Sequence, residues 1–192
     1  MSQIKLANPA ALGLMGFGMT TVLLNLHNVG LFPLESMILS MGIFYGGFAQ
    51  IIAGIMEYKN RNMFGMTAFT SYGLFWISFA ALIIIPELGW IGATSNVAMA
   101  SYLVMWGIFT TLLSVSASKL NYAILIVFTT LSLLFFLLAL GVYNPLIHKI
   151  AGYEGIFCGF TAIYTAFAEV TNDVYGRKVI PLWPIKKLKK IK

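Results

Sequence analysis

A chain of 192 residues that is 59% hydrophobic and only 9% charged, with mean hydropathy +0.88, is not a water-soluble domain, which carries about 25% charged residues. Its apolar residues run in continuous blocks of ~20 rather than in alternating runs of about 10, so the spanning elements are helices and not barrel strands. The net charge of +6 raises nucleic acid as a partner, but the basic residues gather on one side of a membrane, which explains them better.

Six apolar segments are predicted, over residues 8–26, 37–58, 66–85, 97–118, 122–142 and 154–171. Short loops rich in turn formers separate them: Asn28 and Pro33, Asn60 and Asn62, Pro86 and Gly89, Asn121, then Asn144 and Pro145. The expectation is one all-α integral membrane domain over 1–192, with 1–7 as an N-terminal arm and 177–192 as a basic tail. The start lacks the basic n-region and cleavage site of a signal peptide.

The first segment opens with Asn8-Pro9-Ala10-Ala11-Leu12-Gly13-Leu14. Asn8 is a suitable N-cap, and Pro9 then falls at the first helical position, where its missing N–H costs nothing. Gly13, Gly16 and Gly18 leave a face where a neighbouring helix can come close.

In the second segment Gly47, Gln50, Gly54 and Glu57 are spaced by three, four and three and share one face. That face is either a tight helix contact or a water-lined path. Glu57 is read as an interfacial carboxylate paired with Lys59 or Arg61, in preference to a proton carrier. The third segment carries an aromatic stripe, Phe69, Tyr72 and Trp76, in which the Tyr72 phenol needs a polar partner at membrane depth.

The fifth segment holds Thr129, Thr130 and Ser132, which are expected to bond their own backbone. In the sixth, Glu154 is placed in the first turn, where it suits the helix dipole. Glu169 lies at the other end as an ion-pair residue. Cys158, the lone cysteine, is a packing residue. His27 and His148 fall at helix ends with no carboxylate pair beside them, so no metal site is expected.

The charges set the topology. Lys149 is the one basic residue on the first, third and fifth loops, while the other eleven lie on the termini and the second and fourth loops. Both termini are therefore expected in the cytoplasm. The run Lys186-Lys187-Leu188-Lys189-Lys190-Ile191-Lys192 reads as a contact for anionic lipid headgroups.

No Ser-His-Asp constellation, Gly-Lys phosphate loop or HExxH helix is present, so an enzyme is not expected, nor is a cofactor. A small transporter or channel, or a membrane scaffold, is left.

The opening motif resembles the signature Asn-Pro-Ala-Pro-Leu-Gly-Leu of the acetate uptake transporters, the succinate–acetate permeases, with Ala11 in place of a proline. Residues 49–58, residues 64–76, Gly152-Tyr153-Glu154-Gly155, Ala168-Glu169-Val170, Tyr175-Gly176-Arg177 and Pro181 are similar to further stretches of that family. The resemblance covers the whole chain. It implies a six-helix protomer with its own pore, assembled as a homo-hexamer in the inner (plasma) membrane. It implies uptake of acetate and other small monocarboxylates, succinate included, with proton coupling.

It further implies a hydrophobic constriction at Phe17, Tyr72 and Leu131. The expected mechanism packs the acetate methyl on Phe17, Leu131 and Trp76. The carboxylate takes hydrogen bonds from Tyr72, from Thr20 or Thr21, and from Gln50; Thr130 is expected to line the pore. Glu57, Glu154 and Glu169 are candidate coupling or ion-pair carboxylates. Asn8, Pro9 and Gly13 then fix where the first helix begins and hence the height of Phe17. The alternatives are a passive acetate channel, a urea-type channel for a neutral solute, and a non-transporting membrane sensor.

Overall fold

The structure, a computed structural model, describes residues 7–185. Six long helices follow one another: α1 (Ala10–Asn28), α2 (Ser36–Lys59), α3 (Met63–Glu87), α4 (Asn96–Ala117), α5 (Tyr122–Gly141) and α6 (Pro145–Val174). The first five are long and apolar enough to cross a membrane. α6 is the longest, at 30 residues, and is not among those five. The protein is an all-helical integral membrane protein.

Neighbouring helices close a ring in the order α4, α5, α6, α1, α2, α3. The largest contact is α1 on α6. They run antiparallel: Gly152 meets Val29, Gly155 meets Asn25, Gly159 meets Val22, and Asn8 reaches Glu169 at the other end. A Cβ at Gly18 would stand 2.7 Å from the Gly159 carbonyl oxygen, so the absence of side chains is what lets the two backbones touch. The α3–α4 seam is thinner and is filled by rings, with Phe75 against Trp106 at 5.1 Å and against Phe135 at 5.1 Å.

The helix starts follow the asparagines. Asn62, Ser95, Asn121 and Asn144 each accept a backbone N–H of the turn they open, so α3 to α6 begin at side-chain caps. Asn144-Pro145 therefore starts α6 and is not a loop. This moves the start of the sixth helix upstream of residue 154. Glu154 sits well inside it, with both carboxyl oxygens buried and without hydrogen-bond partners, and not in a first turn. Pro86 likewise lies in the last turn of α3, which ends at Leu88 before Gly89 turns the chain at φ +71°.

α1 begins one step later than expected. Pro9 takes the cap position with helical backbone angles, and the Asn8 side chain accepts from Ala10 N at 3.0 Å. The motif still sets the helix start, with Asn8 acting from outside the first turn.

α2 is not uniform. Residues Met41–Ala49 are wound as a π-helix between two α-helical pieces. Gly42, Gly46 and Gly47 are buried there, and Gly46 packs under the Trp76 ring. The face expected from the 3–4 spacing survives: Gly47, Gln50, Gly54 and Glu57 are all buried.

Residues 179–185 fold back over the start of α5. Tyr122 N donates to the Trp183 carbonyl at 2.9 Å, the Tyr164 hydroxyl donates to Pro181 O at 2.7 Å, and Asn172 Oδ1 accepts from Val179 N and Ile180 N. The polybasic run 186–192 lies outside the described residues, as do residues 1–6.

Candidate transport pathway

Three side chains from three helices meet in the middle of the ring. Phe17 of α1 and Tyr72 of α3 have ring centroids 6.1 Å apart, and Leu131 of α5 lines the same small cavity beside them. All three are buried. The cavity is only about 20 Å³, close to the least that holds a single water (roughly 10–15 Å³). Its wall is apolar apart from Gln50 and the Tyr72 phenol, with Leu14, Phe69 and Phe128 completing it. An acetate ion does not fit there, so the structure shows the ring shut.

The Tyr72 hydroxyl has a partner. It lies 2.9 Å from Thr110 Oγ1, whose own proton goes to the Trp106 carbonyl at 2.7 Å. Thr110 has one proton, so Tyr72 is the donor in the first bond. The phenol proton is committed to the wall, which departs from the expected donation to a carboxylate. Thr110 is a residue that the sequence reading missed; a lone threonine on α4 carries no signal that it faces Tyr72.

Gln50 Nε2 donates to Gly46 O at 2.7 Å across the end of the π-helix, and Gln50 Oε1 is buried without a partner. Thr20, Trp76 and Gly46 form a separate packed group between α1, α2 and α3. Thr20 Oγ1 is 3.4 Å from Met41 O, while Trp76 Nε1 and Thr21 Oγ1 are buried with no hydrogen-bond partner. Thr130 bonds the Ile126 and Val127 carbonyls of its own helix. The structure thus brings Phe17, Gln50, Tyr72 and Leu131 to one cavity, and places Thr20, Thr21, Trp76 and Thr130 outside its lining.

A vestibule lies on each side. Toward the end where the described chain starts and finishes, a cavity of about 180 Å³ shares Leu14, Ala68, Phe69 and Phe128 with the central one. Its polar wall is Asn8, Glu57, Asn62, Asn121 and Glu169. At the opposite end a cavity of about 360 Å³ is lined by Leu24, Asn28, Asn96, Leu138 and His148, among others. There His148 Nε2 lies 3.3 Å from Asn28 Oδ1.

The carboxylates differ from the expected ion pairs. Glu57 is 1% exposed, faces the side chains of Asn60 and Asn62, and keeps Oε1 without a hydrogen-bond partner. Lys59 and Arg61 stay exposed around a separate surface hollow. Glu169 accepts from the Asn8 side-chain amide at 3.1 Å. Cys158 is fully buried, with Sγ 3.7 Å from Val127 O.

The sequence model of the GPR1/FUN34/yaaH family matches residues 1–186. The chain belongs to that family. It is 52% identical over 184 residues to the "Succinate-acetate/proton symporter SatP" of Escherichia coli K12, covering 95% of this chain and 98% of that one. It is 32% identical over 198 residues to "Acetate permease A" of Emericella nidulans, covering 93% of this chain and 66% of that one. Among solved structures it matches one described as "Structure of the bacterial acetate channel SatP", with a TM-score of 0.91 and 52% identity, covering 93% of this chain and 99% of that one. The relatives named here are described as a symporter, a permease and a channel.

Proposed function

We propose that this chain carries acetate and related small monocarboxylates, succinate among them, across the cell (inner) membrane together with a proton. The observation that carries the reading is the shut apolar ring of Phe17, Tyr72 and Leu131 between two larger cavities that each hold polar side chains. An apolar constriction makes a hydrated inorganic ion give up water without replacement, while a small carboxylic acid with a methyl group gives up less. The names of the Escherichia coli and Emericella nidulans relatives support the same solute class.

In this reading α6 is the sixth crossing. Its Glu154, Glu169 and glycines lower its hydropathy because they face the bundle and not lipid. Both termini lie in the cytoplasm, so the Asn8–Glu169 vestibule is the inner one. Phe17, Tyr72 and Leu131 form the gate and Gln50 the polar contact beside it, with Thr20, Thr21, Trp76 and Thr130 joining the path when the ring opens. The whole chain acts as one domain within a homo-hexamer. The exposed aromatic stripe Tyr153, Phe157, Phe160 and Phe167 on α6 is a face for lipid or for a neighbouring protomer.

Coupling to a proton is favoured over a bare anion channel by the two carboxylates on the inner vestibule wall, which repel an anion and not a neutral acid. The test is labelled-acetate flux into proteoliposomes, with pH gradient and membrane potential set separately. Uptake is expected to follow the pH gradient without net current. A potential-driven acetate current would select the passive channel, flux of urea without acetate the neutral-solute channel, and no flux of either the sensor.

A further inference from the structure

We infer that Glu57 is the proton relay of the inner vestibule, the group that interconverts acetic acid and acetate at the edge of the apolar ring. The inference rests on the proposed acetate transport and names the residue that handles its proton.

Four observations place Glu57 in that role. Its carboxyl group lies on the vestibule wall, and that vestibule shares four wall residues with the cavity at the ring. Its side chain is 1% exposed, and Oε1 is buried with no hydrogen-bond partner among the described residues. The carboxyl group fits there because residue 65 is a glycine: a Cβ there would lie 2.9 Å from both Cδ and Oε1 of Glu57. Fourth, among the described residues no basic side chain lines that wall. Asn60 and Asn62 present neutral amides, Asn8 and Asn121 line the same wall, and Glu169 repels it from α6. Lys59 and Arg61, the nearest basic residues in sequence, are exposed.

Glu169 cannot take the same part as readily, because its Oε2 already accepts from Asn8. Glu154 is buried with both oxygens unpartnered but lines neither vestibule nor the central cavity.

The step balances as a proton transfer. Acetic acid arriving through the ring gives its carboxyl proton to the Glu57 carboxylate: the O–H bond of the acid breaks, one to Glu57 forms, and acetate leaves. Protonated Glu57 then passes the proton to vestibule water, which regenerates the carboxylate. In the opposite direction protonated Glu57 supplies the proton that neutralises acetate before it enters the ring. The relay matters most near neutral pH, where a small carboxylic acid is almost wholly ionised in bulk water.

The experiment measures labelled-acetate efflux from the inner side in oriented proteoliposomes, for wild type, E57Q, E57D and E169Q, as a function of pH. E57Q is expected to lose roughly tenfold or more of the rate at about pH 7 and to approach wild type at about pH 5, where bulk acid is abundant. E57D retains the neutral-pH rate better than E57Q. E169Q leaves Glu57 in place, so it is expected to keep more of the neutral-pH rate than E57Q. Equal rates for E57Q and wild type at neutral pH would overturn the relay. So would a loss by the same factor at both pH values, since that marks a purely structural role, or a neutral-pH loss in E169Q as large as that in E57Q. Absence of acetate flux in wild type would instead remove the transport reading on which the relay stands.

Discussion

Removing Thr110 should cost more than removing the hydroxyl it binds. Tyr72 donates to Thr110 Oγ1 at 2.9 Å, and Thr110 donates onward to Trp106 O at 2.7 Å; both side chains are buried. In Y72F the Thr110 hydroxyl keeps its bond to the Trp106 carbonyl, so only one net hydrogen bond is lost, about 0.5–1.5 kcal/mol. In T110V the shape is kept, but the Tyr72 hydroxyl is left buried without an acceptor, which costs about 1–3 kcal/mol. The double variant has no orphaned donor, so its loss should fall short of the sum by roughly 0.6–1.7 kcal/mol, the range for such bonds inside membranes. Unfolding of the purified protein in detergent, read for all four members of the cycle, supplies the numbers. Acetate uptake by Y72F should stay near wild type, because the phenol proton serves the wall and not the solute. The reasoning fails if Y72F is less stable than T110V, or if the two losses add to within ~0.3 kcal/mol. Loss of uptake in a stably folded Y72F would show that the phenol touches the solute after all.

Leu131→Ala or Phe17→Ala should widen the ring and admit bulkier acids such as lactate; unchanged uptake of labelled lactate in both variants would remove those residues from the gate. Gly18→Ala puts a methyl group 2.7 Å from the Gly159 carbonyl oxygen, a backbone atom that cannot rotate away. The variant should lose about 1–3 kcal/mol and melt earlier in detergent, while alanine at the exposed Gly92, with open space around its Cβ position, should leave melting unchanged.

The end of the bundle that holds Asn8 and Glu169 shows why the setting of Glu57 could not be read from sequence. Glu57 beside Lys59 and Arg61, and Glu169 near a basic tail, both look like surface ion pairs. Which face of α2 is buried near residue 57 depends on how α3 starts, and that turns on the Asn62 cap and on Gly65 leaving room for the carboxyl group. Asn8 and Glu169 are 161 residues apart and meet because α1 and α6 pack antiparallel along their length.

What the sequence determined by itself was everything governed by local chemistry. Apolar block length decided that the chain is a bundle of membrane helices, because backbone groups in hydrocarbon must bond within their own segment. Asn8-Pro9 marked the start of the first helix, whereas Asn62, Asn121 and Asn144, read as turn formers, cap theirs. Glycines marked the places of close approach, and the 3–4 spacing picked out the buried face of α2. Tertiary structure alone decided the partnerships: Tyr72 with Thr110, and Asn8 with Glu169. A hydrogen bond at membrane depth depends on which polar group the neighbouring helix happens to bring opposite, and helices distant in sequence set that register only when they pack.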